Sequence, residues 1–182
     1  MSRSSKSLLY VVDSPSHPCP ASPVPDSPLP RVLDPVEVPP GCFPIEVVQY
    51  WRGEYAPNRP LPLHWSIIVR TSAQRGNCHE IVGDINTYAT QDRFGIFLHE
   101  RGDWRGAHVI GYVSPARLDD LLNHIALVPV IRNRWTWNCQ NWVYDALKGL
   151  NDDELYTDVN MTFAALQTQM SCLLEAWEVG DI

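Results

Sequence analysis

His64-Trp65-Ser66-Ile67-Ile68-Val69 is the stretch of sequence that decides the fold class. Its β-branched content is typical of a strand, in which every second residue from His64 lies on one face and every second residue from Trp65 on the other. A polar loop containing Gly76 and Asn77 separates this run from a similar one. The pair therefore predicts a hairpin.

Similar short runs occur on both sides of this strand, separated by Gly, Pro and Asn. They span Ile45 to Trp51, Cys78 to Gly83, Phe94 to His99 and His108 to Val113. Together with His64 to Arg70 they predict an antiparallel sheet of about four to six strands.

The hydrophobic period changes to that of a helix after residue 113. Ser114-Pro115 is a good helix start, and apolar residues recur at helical spacing to about Leu127. Asn138 caps a second predicted helix, and a third runs from about Thr162 to Trp177. Strands followed by helices predict an α+β domain, with about three helices packed on the sheet.

Residues 1–40 differ in composition from the rest of the chain. They contain ten of the 16 prolines, interleaved with serine and short apolar residues. Such a segment has little surface to bury, so we predict an extended or disordered tail and a single domain over residues 41–182. Loose PxxP patterns leave open that residues 1–40 bind a protein partner.

Charge and composition exclude several classes of protein. The net charge is −7, and no Lys/Arg cluster provides the surface that binds nucleic acid. No apolar run approaches the roughly 18 residues of a membrane span, and Leu8 to Val12 is too short for a signal peptide, so we expect a cytoplasmic protein. The five cysteines are widely spaced and form no CxxC pair, which indicates reduced thiols. The sequence contains no glycine-rich nucleotide-binding motif, so we expect no nucleotide cofactor.

Cys139 is the first candidate for chemistry, because it stands in the first turn of a capped helix. Unpaired backbone N–H groups and the helix dipole favour a thiolate there, and the same N–H groups could stabilise an oxyanion on an attacked acyl carbon. Cys139 also lies on the apolar stripe of its helix. An inert core thiol is therefore the alternative.

A nucleophilic cysteine needs a base, and the base needs a polar group that orients it. His64 and His79 are the candidates, since the predicted hairpin could bring both imidazoles to one end of the sheet. Glu80 falls on the opposite face from His79, which makes it a weaker candidate for this orienting role. His64, His79 and Cys139 could instead be three zinc ligands, although their spacing is irregular for a zinc site. His124, inside an amphipathic helix, is expected to face solvent.

Three tryptophans are candidates for substrate binding. Trp135 and Trp137 flank Cys139, and Trp65 follows His64. They could form an aromatic wall for an apolar acyl or aryl group, with core packing as the alternative.

These motifs, in this order, resemble those of lecithin:retinol acyltransferase-like proteins, a circularly permuted branch of the NlpC/P60 papain-like thiol hydrolases. The likeness covers about residues 43–150 and rests on the His64-Trp65 strand, on His79 and on the segment from Asn138 to Val143. It implies an antiparallel sheet packed on helices, with Cys139 as nucleophile, His64 as general base and acid, and His79 orienting His64. The implied reaction is attack on an ester, thioester or amide carbonyl, followed by transfer of the acyl group to water, an amine or an alcohol, with no cofactor or metal.

Two hypotheses follow for the function. The first is a cysteine-dependent acyl hydrolase or acyltransferase that acts on a small-molecule acyl or amide substrate. The second is a catalytically inactive binding module of the same fold, in which Cys139 is inert and residues 1–40 engage a partner.

Overall fold

A computed structural model describes residues 36–98, 101–152 and 161–182 of the chain. Seven strands come first: β1 (Phe43–Tyr50), β2 (Glu54–Ala56), β3 (Arg59–Pro60), β4 (His64–Arg70), β5 (Arg75–Val82), β6 (Ala89–Phe97) and β7 (Trp104–Val113). Three helices follow: α1 (Leu118–Leu127), α2 (Cys139–Asp152) and α3 (Phe163–Val179). The predicted α+β class is confirmed.

Five of the strands form one antiparallel sheet in the order β6-β5-β4-β1-β7, while β2 and β3 pair separately. Strand β4 is central, and its five middle residues are buried because both faces of the sheet are covered there. The main core lies between the helices and the face that carries Val47, Ile67 and Ile81. A smaller cluster that includes Ile68 and Cys78 fills the opposite face.

The predicted hairpin between β4 and β5 is confirmed, but the predicted position of its loop is wrong. Gly76 lies inside β5 and pairs with Arg70, so the turn falls just before β5. A Cβ atom at Gly76 would stand 2.8 Å from Ile68 Cγ2 and 2.9 Å from the Val69 carbonyl oxygen. Glycine is therefore needed here for close approach of the two strands, and its presence is not a turn signal.

The edge strand β6 begins at Ala89, five residues before the predicted start at Phe94. Its first residues are mostly polar and exposed, because an edge strand without a covering layer needs no hydrophobic alternation. The short strands β2 and β3 were not predicted, since their few residues are mostly exposed and include Pro60. The predicted end of β6 at His99 lies outside the described residues.

One of the two predicted helix caps is confirmed, because Asn138 caps α2. At the predicted start of the third helix, Thr162 Oγ1 accepts the N–H of Ala165 and caps α3. The side chain of Ser114 makes no capping hydrogen bond, and a short 3-10 turn over Pro115–Arg117 precedes α1.

Residues 1–35 of the predicted proline-rich tail lie outside the described part of the chain. Within residues 36–98, 101–152 and 161–182, no helix has both the length and the apolar character needed to cross a bilayer.

Candidate active site

The start of α2 fixes Cys139 through a reciprocal pair of hydrogen bonds. The Gln140 N–H donates to Asn138 Oδ1 at 2.8 Å, and the Asn138 N–H donates to Asn141 Oδ1 at 3.0 Å. The side chain of Gln140 then reaches across to the strand layer, where Nε2 donates to the Leu63 carbonyl oxygen at 3.1 Å. Because Leu63 immediately precedes β4, this bond holds the helix start against the strand that carries His64.

Cys139 and His64, which are 75 positions apart in sequence, form a hydrogen bond in the fold. Burial alone would raise the pKa of the Cys139 thiol. The His64 hydrogen bond and charge, a hydrogen bond with the Trp65 backbone and the charge of Arg52 outweigh burial and lower that pKa below its ordinary value. Cys139 is thus a thiol whose surroundings favour the thiolate.

The His64 imidazole is correspondingly held in its cationic form. Burial alone would lower the pKa of His64, but hydrogen bonds and charges from Cys139 and Glu80 raise it to about 9. A thiolate and an imidazolium in contact stabilise each other, since each is the counter-ion that the other needs in a partly desolvated place.

Glu80 supplies the third group. Its Oε2 lies 2.8 Å from His64 Nε2, which leaves Nδ1 as the ring nitrogen for the thiol. Its Oε1 accepts a hydrogen bond from Arg93 Nη2 at 2.7 Å. Although burial raises the pKa of Glu80, the contacts with His64 and Arg93 lower it overall, so this buried carboxylate is ionised.

The structure does not bring His79 to His64. His79 pairs with Ile67 across the strands, and its Nδ1 lies 2.7 Å from Asp92 Oδ1. This register places Glu80 opposite Ser66, on the sheet face that His64 shares, as a diagonal neighbour of His64. The orienting position that the resemblance implied for His79 is therefore occupied by Glu80.

The three candidate tryptophans are spread over different surroundings. Trp65 packs edge-on against Phe163, and Trp137 packs edge-on against Tyr88; both are buried. Trp135 is 86% exposed. None of the three lines the cleft that opens onto Cys139, although Trp65 lines a second cleft nearby.

A cleft of about 380 Å³ opens onto Cys139, His64 and Glu80. Its other charged lining groups are Arg52, Arg93, Arg101 and Asp103. Sequence reasoning missed all four, because none belongs to a motif. Within the described residues, no group of three or more His, Cys, Asp and Glu side chains is arranged to hold a metal ion.

The fold and the site define an α+β domain in which a thiol, an imidazole and a carboxylate meet at a cleft. The chain belongs to a family of unknown function (DUF6540), which matches residues 51–156. This matched segment contains Cys139, His64 and Glu80. No curated protein and no solved structure matches the chain.

Proposed function

We propose that the protein is a cysteine-dependent acyl hydrolase or acyltransferase, with Cys139 as nucleophile, His64 as general base and acid, and Glu80 as the group that orients His64. One observation carries the proposal: a continuous chain of hydrogen bonds runs from Arg93 through Glu80 and His64 to Cys139 on the wall of a cleft. The lowered pKa of Cys139 and the raised pKa of His64 both favour the thiolate and the imidazolium that nucleophilic catalysis by a thiol requires.

The first half of the reaction forms an acyl-enzyme. The Cys139 thiolate attacks the carbonyl carbon of an ester, thioester or amide, and a C–S bond forms as the carbonyl electron pair moves onto oxygen. When the tetrahedral intermediate collapses, the bond to the leaving group breaks. The His64 imidazolium donates its proton to that leaving group.

The second half of the reaction regenerates the thiolate. Neutral His64 removes a proton from water, an amine or an alcohol, which attacks the acyl carbon of acyl-Cys139. The C–S bond then breaks, the product acid, amide or ester leaves, and the thiolate is again paired with an imidazolium. Glu80 stays ionised throughout, because it holds the ring and balances its charge.

The amide N–H of Cys139 is the donor that we assign to the oxyanion. Cys139 is the first residue of α2, so its N–H has no acceptor within the helix. The positive end of the helix dipole adds to this stabilisation of developing negative charge.

The observations favour this proposal over an inert binding module. Cys139 is only 3% exposed, yet it lines the cleft and is hydrogen-bonded to the His64 ring, whereas an inert core thiol has apolar neighbours and an elevated pKa. Cys78 offers the contrast within the same chain, because burial raises its pKa to about 11.

Site-resolved alkylation tests the proposal. Full-length protein is treated with iodoacetamide at about pH 6, where an ordinary thiol is almost fully protonated, and the rate at each cysteine is followed by peptide mass spectrometry. We expect Cys139 to react much faster than half-buried Cys172. A second assay uses p-nitrophenyl acetate, from which we expect a burst of p-nitrophenol and an acetyl group on Cys139.

The His64→Ala variant is the decisive comparison. Loss of the imidazolium removes the main cause of the lowered Cys139 pKa, so the rate at Cys139 should fall while the rate at Cys172 stays constant. If Cys139 reacts no faster than Cys172 at this pH and His64→Ala changes nothing, the proposed activity is wrong.

A further inference from the structure

The charges around the cleft are not balanced. Arg93 is paired with Glu80 at 2.7 Å. Arg101 is paired with Asp103 at 2.6 Å, and its guanidinium also lies over the ring of Tyr50. Cys139 and His64 together add no net charge when they share one proton, whether as thiolate and imidazolium or as thiol and imidazole. Arg52 is the remaining charged group of the lining, so the cleft carries about one net positive charge within a chain of net charge −7.

Arg52 has no carboxylate partner among the described residues. It is exposed, follows Trp51 directly after β1 and lines the same cleft as Cys139. It is near enough for its charge to help lower the pKa of the Cys139 thiol. A guanidinium in this position is free to form the paired hydrogen bonds that it makes with planar oxyanions.

We propose that the cleft takes a substrate that carries a carboxylate group, and that Arg52 binds this carboxylate beside the reacting carbonyl. That the bound molecule is a substrate rests on the proposed acyl-transfer function, whereas binding of a carboxylate by Arg52 does not depend on that function. Arg52 is then a residue that selects and positions the substrate.

A carboxylate fits this cleft better than a phosphate group. One unpaired guanidinium matches one negative charge, and its planar fork matches the two carboxylate oxygens. A phosphate monoester carries nearly two charges, and the other two arginines of the cleft already hold carboxylates of the protein.

The first experiment compares two alkylating reagents of similar size, anionic iodoacetate and neutral iodoacetamide. The measured quantity is the rate of iodoacetate divided by the rate of iodoacetamide at Cys139. Differences in thiolate reactivity affect both rates equally, so this ratio reports recognition of the negative charge. We expect Arg52→Gln to lower this ratio by roughly fivefold, as for loss of one charge contact at moderate screening. Arg59→Gln, which removes an equal charge from an exposed arginine outside the cleft lining, should leave the ratio as in the native protein. Equal ratios in all three proteins would overturn the inference.

The second experiment needs no reactive thiol. In a Cys139→Ser background, N-acetylglycine, N-acetylglycinamide and methyl phosphate are titrated at constant ionic strength, and the Arg52 Nε–H resonance is followed by NMR. We expect the Arg52 resonance to shift saturably with N-acetylglycine and not to shift with the neutral amide. In the double variant that also carries Arg52→Gln, the backbone amides next to position 52 should not shift with N-acetylglycine. Absence of shifts with N-acetylglycine, or tighter binding of methyl phosphate, would overturn the carboxylate assignment. Slow alkylation of Cys139 combined with intact N-acetylglycine binding would overturn the proposed activity alone.

Discussion

Glu80 Oε2 lies 2.8 Å from His64 Nε2, and this contact makes the imidazole the middle member of a three-residue site. The contact is a product of strand register, because β4 and β5 pair Ile68 with Cys78 and so place Glu80 on the face that carries His64. The carboxylate is 4% exposed and ionised. It therefore both orients the ring and stabilises its cation.

Replacing Glu80 by Gln tests this relationship. The amide keeps the size of the side chain but removes its negative charge. The pKa of His64 should therefore fall, and the pKa of Cys139 should rise because the neighbouring imidazole is less often cationic. We expect the iodoacetamide rate at Cys139, at about pH 6, to fall roughly tenfold, which corresponds to about one pKa unit.

Asp92→Asn is the matched control for this prediction. It makes the same change from carboxylate to amide in a residue that contacts His79 and is absent from the cleft lining. We expect the Cys139 rate in Asp92→Asn to equal that of the native protein. A larger loss in Asp92→Asn than in Glu80→Gln would return the orienting role to His79.

The raised pKa of His64 depends on the thiolate. His64 should titrate at about 9 in the native protein, and its proton is lost only as the pH rises through that value. In Cys139→Ser the neutral hydroxyl offers no negative charge, so we expect the His64 pKa to fall, with Glu80 alone opposing burial. The measurement is an NMR titration of the histidine ring carbons.

Cys172→Ser serves as the control for this titration, because Cys172 lies in α3 and is absent from the cleft lining. It should leave the His64 titration unchanged. Titration of His64 near 6.5 in the native protein, with no change in Cys139→Ser, would mean that the thiol is protonated and the ion pair does not form.

The local parts of this site could be read from the sequence, and the parts that depend on register could not. Asn138 is recognisable as a cap by residue type, so the position of Cys139 in the first turn of a helix follows directly. Strand alternation also separates Glu80 from His79 correctly. Which of the two shares a face with His64 depends on the number of residues in the turn between β4 and β5. Placing that turn at Gly76 and Asn77 gave no basis for the correct pairing.

Long-range packing explains the other differences. His124 was expected to face solvent, but it is half-buried and its ring lies against α2 at Gly149. Periodicity within α1 shows which of its residues lie on the same face of the helix. It does not show that Gly149, a small residue in α2, leaves space for the His124 ring beside that face. The same holds for Arg52, which belongs to no motif and reaches the cleft only because β1 ends there.

Gly149 of α2 lies against the His124 ring of α1. A Cβ atom at this position would lie 2.5 Å from Nε2 and 2.6 Å from Cε1 of His124. Alanine is the better helix former by about 1 kcal/mol, so an isolated helix would be stabilised by Gly149→Ala. We expect the opposite in the protein, a loss of about 1–3 kcal/mol in the free energy of unfolding, because the half-buried His124 ring must be displaced from its packed position. Urea denaturation measures it.

Gly102→Ala is the comparison for this prediction, since a Cβ atom there has no neighbour within 4 Å. Its free energy of unfolding should stay within about 0.5 kcal/mol of the native value. Stabilisation by Gly149→Ala would show that His124 moves aside at little cost.

Gln140 is a positioning residue in this site, because its side chain ties the start of α2 to the residue before His64. Gln140→Ala removes that hydrogen bond and leaves the helix cap at Asn138 intact. We expect a loss of about 1 kcal/mol in the free energy of unfolding and, in addition, a several-fold lower iodoacetamide rate at Cys139, since the thiol and the imidazole are no longer held at hydrogen-bond distance. Gln167→Ala makes the same truncation at an exposed position of α3 and should change neither quantity.

The pH dependence of alkylation separates a positioning role of Gln140 from a general loss of stability. In Gln140→Ala the acidic limb of the rate profile should move to higher pH, because a displaced imidazolium stabilises the thiolate less. An unchanged profile with reduced stability would mean that Gln140 contributes to the fold alone.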